Sequence, residues 1–400
     1  MSKYIELLSP AGDLERLKTA VRFGANAVYI GGKKFSLRSR ASNFDIDDIR
    51  EGVEFAHAHG SHVHVTCNMV LHDEDFDGAE EYLKTLGEIG VDAIICQSMA
   101  FAAISKRVAP NMEVHLSTQC STLNLKTIEF YKELGIDRIV LARELNLKEI
   151  EHIVKHSPLP IEVFIHGAMC MSYSGRCMLS NHMTLRDANR GGCAQSCRWK
   201  YHMYDGDTEI SPSDCLFSMS SKDMMAAEYL TRLIDMGVAS IKIEGRMKTA
   251  YYIATVVGAY RRLIDEYVNG KELDFDDFKK ELAKAENRPA SIGFYEGLPK
   301  AKDHLYGVNG AGVTQEFIGY VLGYDETTKE AIIEVKNHFT KDTLVEVFGP
   351  HIHNEKFTIG EMFDAKTNEV VEIANKPTQV LRVKIPFKVE EHDLVRKVRL

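Results

Sequence analysis

The sequence has no apolar run long enough to span a bilayer and no excess of basic residues. Its 49 Lys and Arg stand against 58 Asp and Glu, a formal net charge of −9. The first absence argues against a transmembrane helix. The second argues against polyanion binding by the whole surface, while leaving room for a local basic patch. The opening MSKYIELLSPAGDLERLK carries acids early and lacks an apolar run followed by a cleavage site. A cytoplasmic location is therefore expected rather than secretion. Catalytic signatures are missing too. There is no HExxH, no GxSxG and no GxxxxGK(S/T), so nothing marks a metalloprotease, a serine hydrolase or a P-loop NTPase.

What is present is an alternation of two periodicities. Short runs rich in Val, Ile and Ala read as buried strands: YIELLSP, NAVYIGG, HVHVTCNMV, DAIICQS, EVHLSTQ, RIVLAREL, IEVFIHG and ASIKIEG. Amphipathic stretches lie between them, among them DLERLKTAVRFGA, DIDDIREGVEFAHAHG and SKDMMAAEYLTRLIDMG, and several end on glycine. The strand–helix pairs reach eight, which predicts an α/β fold, a TIM-like (β/α)8 barrel over residues 1–270. A doubly wound open sheet is the competitor, but no glycine-rich dinucleotide fingerprint follows the first strand. Residues 271–313 read as a helical and irregular linker. From 314 to 400 the chain alternates with a period of two between turn residues, predicting a small C-terminal all-β barrel domain. Its charges balance, so an accessory role and a recognition role are equally open.

In a (β/α)8 barrel, catalytic groups sit at the C-terminal strand ends and in the loops that follow. That rule selects His166, Glu144 and Glu244 as candidate acid–base groups. It selects Arg38, Asn43, Asn68, Gln119 and Arg246 as candidate substrate contacts. Arginine forks hold carboxylates bidentately, so an anionic small molecule is a reasonable occupant. The seventh strand ends at His166, and the loop at 167–220 that follows is abnormally long for a compact barrel, as functional loops are. It begins GAMCMSYSGRCMLSNHMTLRDANRGGCAQSCRW, a stretch that holds four of the eight cysteines. In a reducing compartment these point to metal binding, catalysis or burial before disulfides. Cys170, Cys177, Cys193 and Cys197 are spaced too irregularly for a tight zinc knuckle. A 4Fe–4S cluster therefore ranks first, zinc second and four unligated thiols third. Cys215 is a spare ligand. Cys67, Cys96 and Cys120 read as buried. The same loop gathers Arg186, Arg190 and Arg198 beside Trp199, the sole tryptophan. These suit a phosphate backbone and a stacked base; the competing reading is that the arginines offset thiolate charge and cap the loop. In HAHGSHVHV, His62 and His64 share a strand face and could form a metal pair. They precede the strand's C-terminal end, so His57, His59, His62 and His64 read as surface or helix-end residues.

Residues 161–180, IEVFIHGAMCMSYSGRCMLS, resemble the signature of the collagenase-like peptidase family of unknown catalytic type, peptidase family U32. LLSPAGDLERLKTAVRFGANAVYIGG, LSTQCSTLN, VLARELNLKEI, DANRGGCAQSCRWKY and IKIEGRMKTAYYIATVVGAYR resemble its other blocks in the same order. Within the family the resemblance leans to the tRNA uridine hydroxylation branch, which carries a C-terminal β-domain. That resemblance implies oxygen-independent, prephenate-dependent hydroxylation of the tRNA wobble uridine to 5-hydroxyuridine. It implies a 4Fe–4S cluster on Cys170, Cys177, Cys193 and Cys197, with tRNA as partner and a paralogous subunit in some members. Prephenate carries two carboxylates, which suits Arg38 and Arg246. The peptidase reading lacks a nucleophile–base pair: Cys170 with His166 is imaginable but leaves three thiols without a role. A non-catalytic RNA-binding subunit is the third reading.

Overall fold

A computed structural model describes residues 4–37, 43–211, 216–285, 288–305 and 316–398. Arg38 and Cys215 lie outside the described residues. Eight parallel strands close into a barrel: β1 (Glu6–Pro10), β2 (Ala27–Gly31), β3 (His62–Cys67), β4 (Ala93–Cys96), β5 (Glu113–Leu116), β6 (Arg138–Val140), β7 (Ile161–Gly167) and β8 (Ser240–Ile243). Closure comes from β8, which pairs in parallel with both β1 and β7. Helices α1 (Leu14–Arg22), α2 (Ile46–Ala58), α3 (Ala79–Ile89), α4 (Met99–Val108), α5 (Leu125–Glu133) and α6 (Leu147–His156) follow the first six strands. Their starts are fixed by side-chain caps: Asp13 on α1, Ser98 on α4, Asn124 on α5, and reciprocal capping boxes Asp45–Asp48 on α2 and Asn146–Glu149 on α6.

Among its described residues the loop after β7 contains one short α-helix, α7 (Leu179–Thr184), and three 3-10 turns. The stretch SKDMMAAEYLTRLIDMG, read above as a single helix, divides. Asp223–Met225 is a strand lying antiparallel on the end of β7, with Met224 opposite Gly167 and Met225 opposite His166. A 3-10 turn and α8 (Leu230–Met236) come after it. β7 outruns its neighbours, and its protruding backbone groups demand partners, which outweighs the helical preference of Met and Ala. Beyond β8, α9 (Ala250–Val268) completes the ring and α10 (Phe275–Ala283) packs on it. Ala290–Ser291 pairs in parallel with Asp223–Met224, so the segment read as a linker contributes a helix and a strand to the barrel's flank.

The lower barrel interior is charged. Arg138 Nη1 meets Glu6 Oε1 at 2.5 Å, and Lys242 Nζ meets Glu162 Oε1 at 2.8 Å. β1 and β6 are not sheet neighbours, so the first pair spans the interior. Two acids and two bases neutralise each other there, with His64 and His115 packed alongside and pushed towards the neutral form by burial.

The C-terminal unit is an antiparallel half-barrel of β9 (Glu316–Asp325), β10 (Glu330–Val335), β11 (Leu344–Phe348), β12 (Glu355–Thr358), β13 (Met362–Asp364), β14 (Val380–Lys384) and β15 (Leu394–Lys397). Its order is β12-β11-β15-β9-β10-β14-β13, and the two end strands do not pair with each other among the described residues. The small all-β domain expected from the period-two alternation is thus present, as a half-barrel. Arg396 on β15 is fully buried and bonds Glu346 Oε1 at 2.6 Å and Glu281 Oε1 of α10 at 2.7 Å, linking this unit to the barrel. No helix among the described residues is long and apolar enough to cross a membrane.

Candidate functional site

The C-terminal ends of the strands place a polar rim around the barrel mouth. Arg246, just after β8, is only 6 % exposed. Its guanidinium donates to Ser36 Oγ at 2.9 Å, to Thr66 Oγ1 at 3.2 Å and to the Leu37 carbonyl. Gly31, at the end of β2, leaves the room it needs, since a Cβ there would overlap Arg246 Nη1. Arg246 thus holds the chain that leads to Arg38. Asn68 Oδ1 accepts from the Leu37 N–H at 3.2 Å, and the Gln97 amide donates to the Asn68 carbonyl at 2.7 Å. Asn43 is buried at a positive φ of 38°. Gln119 differs from these. It is 3 % exposed, yet neither its amide nitrogen nor its amide oxygen has a partner among the described residues. Its backbone carbonyl accepts from Arg176 Nε of the cysteine loop at 2.5 Å.

Glu244 stands at the mouth, 3.4 Å from the Tyr29 hydroxyl and 3.6 Å from Arg143 Nη2. Arg143 lies 3.7 Å over the Phe164 ring and donates to the Ala168 carbonyl at 2.7 Å. The sequence reading missed Arg143, although it directly precedes Glu144 at a strand end. Glu144 has a different task. Its carboxylate accepts from the Ser174 N–H at 2.6 Å and from the Ser174 hydroxyl at 3.0 Å, anchoring the cysteine loop.

His166 is a correction to the expected mouth-facing acid–base group. The β7–β8 register shifts at a bulge between Lys242 and Ile243, so Ile243 pairs with His166. That slip changes the face on which the side chain emerges. The ring packs on Tyr252 and Tyr260 of α9, is 2 % exposed, and its pKa is pushed down to about 3 by burial and by Lys248. Cys170 is exposed on the loop, so the two form no solvent-accessible thiol–imidazole pair.

The cysteine loop is held by short polar contacts. Asn189 accepts from the Cys177 N–H at 3.1 Å and donates to the Cys177 carbonyl at 3.0 Å. Ser180 Oγ donates to the Arg186 carbonyl at 2.8 Å and accepts from the Ala194 N–H at 3.0 Å. Three arginines expected to face RNA are engaged within the fold. Arg198 bonds Ser220 Oγ at 2.6 Å and the carbonyls of Ser221 and Met169, each at 2.8 Å. Arg190 pairs with Asp75 and the Val70 carbonyl. Arg186 reaches the Cys193 carbonyl at 3.4 Å. Trp199 remains 44 % exposed beside Tyr201.

Cys170 is exposed and Cys177, Cys193 and Cys197 are half-buried, all as free thiols. Burial pushes the Cys197 thiol up. The Arg198 guanidinium pulls it down, and the thiols of Cys170, Cys193 and Cys177 raise it again. All four sulfurs therefore lie in one electrostatic neighbourhood. No three of them are close enough to share a single ion; among the described residues only His57, His62 and Asp92 meet that test.

Residues 12–305 match the model of peptidase family U32, and residues 313–396 match the family's C-terminal domain. The chain belongs to peptidase family U32. It is similar to tRNA hydroxylation protein P1 of Bacillus subtilis, 46% identical over 99% of this chain and 96% of that protein. tRNA hydroxylation protein P of Escherichia coli is 33% identical, covering 90% of this chain and 89% of its own length. A collagenase of Porphyromonas gingivalis is 31% identical over 96% of this chain and 94% of its own. The U32 match thus spans the barrel, the cysteine loop and the half-barrel together.

Proposed function

We propose that this U32 chain is a tRNA hydroxylation protein, converting the wobble uridine to 5-hydroxyuridine without molecular oxygen and with prephenate as co-substrate. The observation that carries the reading is the end-to-end similarity to tRNA hydroxylation proteins, half-barrel included. Cys170, Cys177, Cys193 and Cys197 would hold a 4Fe–4S cluster. Their shared electrostatic neighbourhood and their irregular spacing, too wide for a zinc knuckle, support this reading. When bound, such a cluster supplies one-electron transfer beside the mouth.

The chain's own groups supply recognition. The Gln119 carboxamide offers a donor NH2 and an acceptor oxygen with no partner among the described residues, which fits the paired acceptor and donor on a pyrimidine edge. Leaving it unmatched costs free energy, so a ligand that completes it is favoured over one that does not. Glu244, oriented by Arg143 and Tyr29, is the ionisable group best placed to hold or move a proton at the mouth. Arg246 serves prephenate indirectly, by fixing the loop after β2 at Ser36 and Leu37.

The test is mass spectrometry of tRNA nucleosides from a deletion strain. Loss of 5-hydroxyuridine and its derivatives, restored by the wild-type chain but not by Cys177→Ser, is the expected result. Unchanged nucleosides would overturn the proposal. The collagenase relative favours a peptidase as the second reading. Gelatin digestion by the purified chain, abolished in Cys170→Ala, would support it.

A further inference from the structure

We propose that the base of the barrel carries a transition-metal site formed by His57, His62 and Asp92. The three residues belong to successive parts of the fold: His57 to the last turn of α2, His62 to the first position of β3, and Asp92 to the residue before β4. All lie at the N-terminal end of the strands, opposite the cysteine loop. His57 Nε2 is 3.0 Å from Asp92 Oδ2, and His62 Nδ1 is 2.9 Å from Asp92 Oδ1. One ligand atom from each residue falls within 4.8 Å of the others, a span that a single ion bridges.

The carboxylate is held in place and charged. The Val63 N–H donates to Asp92 Oδ2 at 2.7 Å. Both imidazoles are exposed, which leaves the remaining coordination positions to solvent. Two imidazole nitrogens and one carboxylate oxygen suit Zn²⁺, Ni²⁺ or Cu²⁺. Calcium and magnesium demand more oxygen ligands than are assembled here. Because all three groups sit on or beside regular elements, binding requires little further ordering. It requires each imidazole to release the proton it presents to Asp92, so the ion replaces two proton bridges with metal–ligand bonds. His64, read from the sequence as a surface or helix-end residue, is instead buried in the barrel against His115, so it is no partner for His62 here. His57 and Asp92 supply the missing partners from neighbouring segments.

Calorimetric titration of Zn²⁺ into the full chain at neutral pH tests this. The loop cysteines contribute equally to the wild type and to His57→Ala/His62→Ala, so the difference isolates the barrel base. The expected result is one equivalent fewer in the double variant, with its circular dichroism unchanged. Asp92→Asn, which retains an oxygen for the Val63 N–H, should bind the same equivalent at least about tenfold more weakly. Equal stoichiometry and affinity in the wild type and the double variant would overturn the proposal, as would undiminished affinity in Asp92→Asn.

Discussion

Replacing Arg198 separates two meanings of the basic cluster. Its guanidinium donates to Met169 at the start of the cysteine loop and to Ser220 and Ser221 at its end. It therefore closes the neck of the excursion, next to Cys197. Bonds from a charged donor contribute about 1.5–3 kcal/mol each after solvent exchange. Three of them would give roughly 4–9 kcal/mol, but Arg198→Met also removes the cost of burying the guanidinium, several kcal/mol in a site of this kind. The net loss is about 3 kcal/mol of local order, which raises the open population of the neck by roughly 150-fold. Hydrogen exchange read by mass spectrometry should show protection falling across residues 167–198 while the barrel strands keep theirs. Iron retained per chain after anaerobic purification should fall in parallel. If Arg198 instead grips RNA, the loop and its iron stay intact, tRNA binding weakens, and the dependence of binding on salt drops by about one phosphate contact. That second pattern would refute the bracing argument.

Gly31→Ala should push Arg246 off Ser36 and Thr66, costing about 1–3 kcal/mol by overpacking and reducing tRNA hydroxylation more than it lowers the melting temperature. A melting change without a matching loss of 5-hydroxyuridine would count against Arg246 as the holder of the strand end. Glu281 gives a pH signature. Burial raises its carboxyl, but Arg396 and Lys284 more than reverse this and hold it at about 2. With a folded value below the unfolded one of about 4.3, its contribution is complete above pH ~4.3 and disappears as the pH falls towards the folded value. The melting difference between wild type and Glu281→Gln should shrink through that window, and a constant difference contradicts the assignment. Trp199→Ala should weaken tRNA binding by about 1–3 kcal/mol, the worth of one stacked base, without changing iron content. Equal tRNA affinity would remove Trp199 from the interface.

The parts of the fold written in periodicity were legible in the sequence. Eight apolar runs and their amphipathic partners gave the barrel, and the barrel-face rule located the mouth. What stayed hidden depended on tertiary demand. Asp223–Met225 has no strand pattern; it pairs because β7 protrudes. The Glu6–Arg138 contact joins positions 132 residues apart, and no local spacing announces it. His166 obeyed the expected alternation until a bulge shifted it by one. For Arg190, beside Gly191-Gly192, and Arg198, beside Trp199, the sequence offered both readings, since an arginine serves a phosphate or a carbonyl equally well.

That last ambiguity resolves into an argument about preorganisation. The thiol-bearing loop is fixed to the barrel at separate points: Glu144 to Ser174, Arg176 to the Gln119 carbonyl, Arg190 to Asp75, and Arg198 across the neck. These ties involve mouth residues as well as loop residues, so the thiols and the rim cannot shift independently without breaking charge-assisted bonds. Below the rim, the neutralised ion pairs and buried histidines fill the interior and close the barrel from beneath. On the proposed function, a substrate base approaches from above, past the loop, towards Gln119, whose carboxamide has no partner among the described residues. If that proposal holds, selectivity for the base resides in this carboxamide beyond β5, and the loop tied to its backbone brings the chemistry to it.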